Sequence, residues 1–259
     1  MIDNQFIYSL STWILPILLG AGLHESAHAY VALYFGDDTS KKLGRVTLNP
    51  FKHIDKYGTI IVPLILYFIN PTFIIGWAKP VPIGLDKLKN YKRDFGIICL
   101  AGPLTNLLIT IIFSLLLFLF IAYIPTNILF YSPVGVWTYD TLWNVIFLNL
   151  LLAIFNMIPL NPLDGGRVLG IFLPHKWANY LMTQSYYTII ALLFLIFIVP
   201  EIIGIDILWN YYLEPLLYPF DFLWDRVWDY KTYDDCNDLC LENIEEAIDK
   251  FFNKSLWYK

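Results

Sequence analysis

The stretch HESAHAY, at residues 24–30, follows twenty residues without a charge, residues 4–23. An uncharged run of this length is what a membrane-spanning helix needs. A segment that served only as an anchor would not end in two histidines and a glutamate, because ionisable groups at membrane depth are costly and mostly functional. The stretch therefore predicts a membrane helix whose end carries a functional site.

The composition of the whole chain is that of a polytopic membrane protein. Of its 259 residues, 58% are hydrophobic and 15% are charged, and the mean hydropathy is +0.56. Soluble domains contain about 25% charged residues. Five segments lack Asp, Glu, Lys and Arg: residues 4–23, 58–78, 95–139, 141–163 and 177–200. We predict an all-α polytopic membrane protein with about five to six transmembrane helices.

Charge also orients these segments in the membrane. Basic residues gather in two loops, residues 36–57 and 79–94, and the positive-inside rule places such loops in the cytoplasm. The segment between them, residues 58–78, must then enter and leave the membrane on the same side. Its Asn-Pro pair at 70–71 is a turn signal. We therefore expect a re-entrant or β-hairpin membrane segment, with an extended strand over residues 73–83.

The remaining spans follow by alternation across the membrane. Residues 95–124 are expected to cross outward, residues 125–140 to form an external loop, and residues 141–163 to return to the cytoplasm. No cleaved signal peptide is predicted, because the first apolar run lacks a preceding basic residue and a small-residue cleavage site. The three cysteines are too few for a disulfide framework and are interpreted as structural or incidental.

The end of the chain differs from the rest. Residues 207–259 hold 11 of the 22 acidic residues against 5 basic ones. Apolar residues recur there at helical spacing: Leu241, Ile244, Ile248 and Phe251. We predict a membrane-embedded domain over residues 1–206 and an acidic tail over residues 207–259 that contains a short amphipathic helix. No nucleic-acid partner is indicated, because the basic residues form juxtamembrane loops rather than a binding patch.

The spacing within HESAHAY is that of a metal site. His24 and His28 are four residues apart, so on a helix they project from one face with Cβ atoms about 5–6 Å apart. Two imidazoles at that separation can bind one metal ion, and Glu25 is placed to contact a water molecule on the ion. This is the zinc hydrolase arrangement, in which the glutamate is the general base.

A catalytic zinc ion usually has three protein ligands, so the sequence must supply a third. The candidates are His53, His175, Glu201, Asp37, Asp38 and Asp164. Asp164 differs from the others because it follows 23 uncharged residues and precedes Gly165 and Gly166. Pro159 and Pro162 are expected to break the helix before it, and the glycines permit close approach or a positive φ. The topology brings this aspartate to the same membrane depth as the two histidines.

Two motifs together carry a family resemblance. HESAHAY and NMIPLNPLDGG, at residues 156–166, resemble the site-2 protease family of intramembrane zinc metalloproteases. That family pairs HExxH in one transmembrane helix with NxxPxxxxDG in a later one, and both occur here at the family's internal spacing. GWAKPVPI at residues 76–83 and AGPLTN at residues 101–106 also resemble elements of compact members, those without a PDZ or nucleotide-sensing domain.

The resemblance implies an intramembrane zinc metalloprotease that binds one Zn²⁺ per chain through His24, His28 and Asp164. It implies Glu25 as general base and Asn156 as a residue that helps to polarise the scissile carbonyl. The implied substrate is a membrane protein or peptide in the lipid bilayer, cleaved within or near a transmembrane segment. We expect a multi-pass plasma-membrane protein with its active site toward the cytoplasm. Two alternatives stay open: a proteolytically silent homologue that binds membrane segments, and a transporter with a metal or proton relay.

Overall fold

A computed structural model describes residues 4–69, 76–125, 128–129, 132–174, 176–178 and 180 of the chain. Within these ranges the protein consists of helices and irregular segments, and no β-strand is present. The predicted all-α class is therefore confirmed for the described residues. The acidic tail, its amphipathic helix and most of the apolar segment 177–200 lie outside the described part.

The α-helices whose bounds lie within the described residues follow one another along the chain. They are α1 Asn4–Tyr34, α2 Thr39–Lys42, α3 Val62–Ile69, α4 Tyr91–Tyr123, α5 Pro133–Asn156 and α6 Asp164–Phe172. Short turns of other helix types lie between α2 and α4. They are 3₁₀ turns at Pro50–His53 and Leu85–Lys87 and a π-helical turn at Lys56–Ile61. The long helices α1, α4 and α5 thus alternate with short helices and turns.

Three of these helices are long and apolar enough to cross a membrane: Ile7–Tyr34 within α1, Tyr91–Tyr123 and Pro133–Asn156. At 31 residues, α1 is about 46 Å long, which exceeds the roughly 30 Å of a hydrocarbon core. One face of α4 is apolar and more than half exposed at Leu104, Leu108, Ile111 and Leu115. Exposed leucine and isoleucine at helical spacing are typical of a lipid-facing surface.

The loop between α4 and α5 is shorter than the sequence indicated. We predicted an external loop over residues 125–140, but α5 begins at Pro133. Oγ of Ser132 caps this helix by accepting the N–H of Gly135 at 2.9 Å, and proline suits the first helical position. Asp140 lies inside α5 and accepts a 2.6 Å hydrogen bond from the Tyr8 hydroxyl. The prediction was wrong for residues 133–140 because one charged residue in a helix was interpreted as a boundary.

The three long helices pack against one another and form the core of the described structure. Small residues allow the close approach, as expected for membrane helices. A Cβ at Gly20 would lie 3.0 Å from Cδ1 of Leu152 on α5, and one at Gly22 would lie 2.6 Å from Cβ of Pro50. Both glycines of α1 therefore serve packing against neighbouring segments.

The chain between α5 and α6, residues 157–163, folds back onto the start of α6. It contains two prolines, and the break in the helix that they predicted is present. A Cβ at Gly165 would lie 2.6 Å from O of Ile158, and one at Gly166 would lie 2.5 Å from O of Leu160. Neither glycine has a positive φ. The glycine pair is needed for close approach, and this approach places the first residue of α6 against the bundle.

Candidate active site and metal centre

The three predicted metal ligands lie together in the structure. Nε2 of His24 lies 3.1 Å from Nε2 of His28, and these two atoms lie 3.2 and 3.3 Å from Oδ2 of Asp164. All three side chains are buried. No other cluster of three or more His, Cys, Asp or Glu residues in the described ranges brings its ligand atoms this close.

The distances between the three ligand atoms fit a tetrahedral zinc site. Bonds of about 2.0–2.1 Å from a tetrahedral zinc ion to nitrogen and oxygen place the ligand atoms about 3.3 Å from one another. The three measured separations, 3.1, 3.2 and 3.3 Å, agree with that value. Oδ2 of Asp164 is also buried without a hydrogen-bond partner among the described residues. A buried carboxylate oxygen in that state is stabilised by a cation.

Helix α4 packs against the two histidines. Nδ1 of His28 lies 2.6 Å from O of Ile98, so Nδ1–H donates to this carbonyl and the lone pair of Nε2 is directed at the cluster. Gly102 follows one turn later, and a Cβ there would lie 2.6 Å from Nε2 of His24. Our sequence reasoning did not assign a role to Gly102. A Gly-Pro pair inside an uncharged span was the signal that could have found it.

Glu25 lies at the edge of the same site. Its Oε2 accepts a 2.8 Å hydrogen bond from the backbone N–H of Val81. A cavity of about 100 Å³ is lined by both histidines and by Glu25, Asn156 and Asp164. A carboxylate that borders such a cavity beside a metal site can accept a proton from a water molecule there.

Asn156 and Arg167 complete the polar lining of the cavity. Asn156 is the last residue of α5, and its Nδ2 donates to O of Leu152 at 2.9 Å. Nη1 of Arg167 lies 3.5 Å from Oδ1 of Asp164, and the arginine side chain is 34% exposed. The two oxygens of Asp164 therefore face different partners, Oδ1 the guanidinium and Oδ2 the histidines. Pairing with Arg167 and a metal-binding role are thus compatible.

Residues 76–83 form a wall of the cavity next to Glu25. Their backbone is fixed by the preceding loops, since the N–H of Trp77 donates to Gly58 at 3.1 Å and the N–H of Lys79 donates to His53 at 2.8 Å. Two side chains bind carbonyls of the same segment, Arg45 that of Pro80 and Ser40 that of Pro82. The strand predicted here is not formed within residues 76–83, where two prolines lack the N–H that pairing needs. Residues 73–75 lie outside the described part.

The other candidates for the third ligand have different surroundings. His53 is on the far side of α1, 3.2 Å from the hydroxyl of Ser26. Asp37 and Asp38 bind groups outside the cavity instead, namely Thr39, Gly84, Lys42 and Lys87. His175 and Glu201 lie outside the described residues. Asp164 is the candidate that the described structure places beside the two histidines.

Comparison with known proteins agrees with this geometry. Residues 12–199 match peptidase family M50. YwhC of Bacillus subtilis, named as a zinc metalloprotease, is 37% identical over 211 residues, which cover 80% of this chain and 90% of that protein. MJ0611 of Methanocaldococcus jannaschii, also named as a zinc metalloprotease, is 37% identical over 175 residues, or 66% of this chain and 76% of its own length.

A more distant relative has a longer chain. Rip2 of Mycolicibacterium smegmatis, named as a zinc metalloprotease, is 26% identical over 170 residues, which cover 66% of this chain and 58% of that protein. No solved structure matches the chain. The chain belongs to peptidase family M50, the site-2 protease family of membrane-embedded metalloproteases, as its two motifs indicated.

Proposed function

We propose that this chain hydrolyses peptide bonds within or near the transmembrane segments of membrane proteins, using one zinc ion. The observation that carries the proposal is the meeting of His24, His28 and Asp164 at tetrahedral spacings, with Glu25 on the same cavity. The names of the relatives support zinc as the metal. Neither a transporter nor a silent homologue is favoured, because family membership indicates a peptidase and both motifs are intact.

Each residue of the site then has a separate role in hydrolysis. His24, His28 and Asp164 hold the ion, which when bound supplies Lewis-acid chemistry that polarises a carbonyl and lowers the pKa of water. Glu25 accepts a proton from the attacking water and delivers it to the leaving nitrogen. Because Oε2 of Glu25 receives the N–H of Val81, Oε1 is the oxygen that takes this proton.

Asn156 is assigned to the scissile carbonyl. Its Nδ2 carries two hydrogens, of which one is directed at Leu152. The second can donate to a substrate carbonyl oxygen as negative charge develops there, which is how such donors accelerate acyl transfer. Its place at the end of α5, on the cavity wall, supports this role.

We further propose how the chain lies in the membrane. The two basic loops, residues 36–57 and 79–94, support a cytoplasmic position for the adjoining site in a plasma-membrane protein. The full chain would contain five to six spans and a re-entrant segment near residues 58–78. Residues 1–206 would form the membrane-embedded domain and residues 207–259 the acidic tail.

The test compares the membrane proteomes of cells that carry the wild type or Glu25→Gln. The substitution preserves the size of the side chain and all three metal ligands, but it removes the proton acceptor. Fragments of membrane proteins released only by the wild type would support the function and identify the substrates. Asp86→Asn, which removes an exposed carboxylate outside the cavity, is the matched control. Identical fragments from wild type and Glu25→Gln would refute the proposal.

A further inference from the structure

The face of α1 opposite the metal ligands carries a buried polar contact. Ser26 lies midway between the two ligand histidines, so on a helix it points to the opposite side. It is 1% exposed, and its Oγ lies 2.7 Å from O of Gly22 and 2.7 Å from O of Thr47. His53, also 1% exposed, places Nε2 3.2 Å from the same Oγ.

The number of donors at this contact determines where His53 carries its hydrogen. The Ser26 hydroxyl has one hydrogen, which two carbonyl oxygens already share, so none is left for the imidazole. Nε2 of His53 also lies 3.3 Å from O of Thr47. A lone pair on Nε2 would face lone pairs on both oxygens, so Nε2 must carry the hydrogen and donate. The imidazole therefore links the loop of His53 to the back of α1.

The backbone of His53 connects to the side of the same helix that carries Glu25. Its carbonyl accepts the N–H of Lys79 at 2.8 Å. Two residues later, the N–H of Val81 donates to Oε2 of Glu25 at 2.8 Å. The contacts thus connect Ser26 to Glu25, which lies about 100° further round α1.

Packing alone does not account for an imidazole at position 53. The neighbouring Pro50 already fits closely against Gly22. Nδ1 of His53 is buried without a hydrogen-bond partner among the described residues. An apolar side chain would fill the space without burying such an atom, which is unfavourable. The contribution particular to this histidine is therefore the hydrogen bond from Nε2.

We propose that His53 is a positioning residue for Glu25. By donating from Nε2 to Ser26 and Thr47 it fixes its own loop on α1, and its carbonyl then holds residues 79–81 where Val81 orients the glutamate. The proposal rests on the proposed function, in which Glu25 is the general base. It predicts a fall in kcat with zinc content unchanged, because Glu25 loses its orientation while the ligands of the metal do not change.

Three substitutions separate the hydrogen bond from packing. His53→Gln places an amide N–H near the position of Nε2, His53→Asn places one near Nδ1, and His53→Leu removes both. We expect kcat to fall about 10- to 100-fold in the Leu and Asn variants, with zinc content unchanged, and to stay within about threefold of wild type in the Gln variant. Lys52→Gln, at the exposed neighbouring position, is the control and should behave as wild type.

Hydrogen–deuterium exchange provides a second measurement that needs no substrate. Peptides containing Lys79 and Val81 should be protected in the folded wild type and in His53→Gln, and should exchange faster in His53→Leu. Equal exchange in wild type and His53→Leu, or equal loss of kcat in the Gln and Leu variants, would overturn the role of His53. Failure of the wild type to cleave any membrane protein would refute the proposed function, whereas the exchange comparison would still decide whether His53 holds this segment.

Discussion

Nε2 of His24 and Oδ2 of Asp164 lie 3.2 Å apart, although the two residues belong to α1 and α6 and are separated by more than a hundred residues of the chain. The approach depends on the sharp return of the chain after α5 and on Gly165, where a side chain would collide with the backbone of that return. The candidate metal centre is therefore a product of tertiary packing. Neither motif contains a complete ligand set.

Asp164→Ala should abolish zinc retention as completely as His24→Ala. It removes the ligand that carries negative charge and leaves two histidines, one fewer than the three protein ligands usual at a catalytic zinc site. The zinc content of purified protein, measured by mass spectrometry, checks this. Asp86→Ala, at an exposed position away from the cavity, should retain full zinc. Full occupancy in Asp164→Ala would show that the third ligand lies elsewhere.

Gly102→Ala should weaken zinc binding without unfolding α4. Alanine is favoured over glycine in a helix by up to about 1 kcal/mol, but its methyl group would lie 2.6 Å from Nε2 of His24. Gly96→Ala on the same helix is the matched control, because its methyl group would meet only the movable end of Ile171, at 3.0 Å. Competition with a chelator measures both affinities. Equal affinities would indicate that His24 moves aside at no cost to metal binding.

Arg167→Gln should lower zinc affinity by about 10- to 100-fold, the usual effect of removing a group that orients a metal ligand. Its guanidinium lies 3.5 Å from Oδ1 of Asp164 and leaves Oδ2 for the histidines. Arg167→Lys should recover part of the affinity, since it restores the charge without the planar fork. An Arg167→Gln protein with normal zinc affinity but poor cleavage would instead place Arg167 on the substrate.

The features that the sequence predicts are those that depend on residues close together in the chain. The i,i+4 histidines and the uncharged run before them predict a membrane helix with a metal-binding face. Asp164, predicted from its position after another uncharged run and two prolines, lies beside these histidines in the structure. Helix ends were less predictable. Asp140 lies within α5, and its carboxylate accepts a hydrogen bond from Tyr8, a contact between distant parts of the chain that hydropathy does not encode.

The structure of the cavity wall could not be predicted from the sequence either, because it also depends on contacts between distant parts of the chain. Residues 76–83 were expected to form part of an extended strand, yet their polar groups bind five separate partners: Glu25 on α1, Ser40 on α2, Arg45, His53 and Gly58. His53 was only one of several candidate metal ligands. Its contact with Ser26 depends on a loop wrapping behind α1, which neither periodicity nor motif spacing predicts.

Asp37 should make the stability of the loop that follows α1 sensitive to acid. Burial alone would raise the pKa of this carboxyl, but hydrogen bonds from Thr39 and Gly84 and the nearby Lys87 ammonium hold its pKa below the usual value. A lowered folded-state pKa contributes stability that is present above the unfolded value of about 3.9 and is lost as the pH falls through the folded value.

Asp37→Asn should therefore lower the Tm at pH 7, and the difference from wild type should shrink below about pH 4. The N–H groups of Thr39 and Gly84 donate to different oxygens of the carboxylate. The Asn amide keeps one oxygen, so its NH2 group would also face one of these two N–H groups. Thermal unfolding in detergent at both pH values measures the difference. Asp86→Asn is the control with an exposed carboxylate. A difference that is the same at pH 7 and pH 3.5 would exclude the charge of Asp37 as its source.

Substrate pairing along the cavity wall should depend on Ala78. Trp77, Lys79 and Val81 donate their N–H groups within the protein, and Pro80 and Pro82 have none. Within residues 77–82 this leaves the N–H of Ala78 for an unwound substrate strand that binds by β-addition. Ala78→Pro should raise KM with little effect on zinc content, whereas Ala78→Ser keeps the N–H and should cleave as wild type. Steady-state kinetics on an identified substrate measures KM for both variants. An unchanged KM in Ala78→Pro would place the substrate on another edge of the cavity.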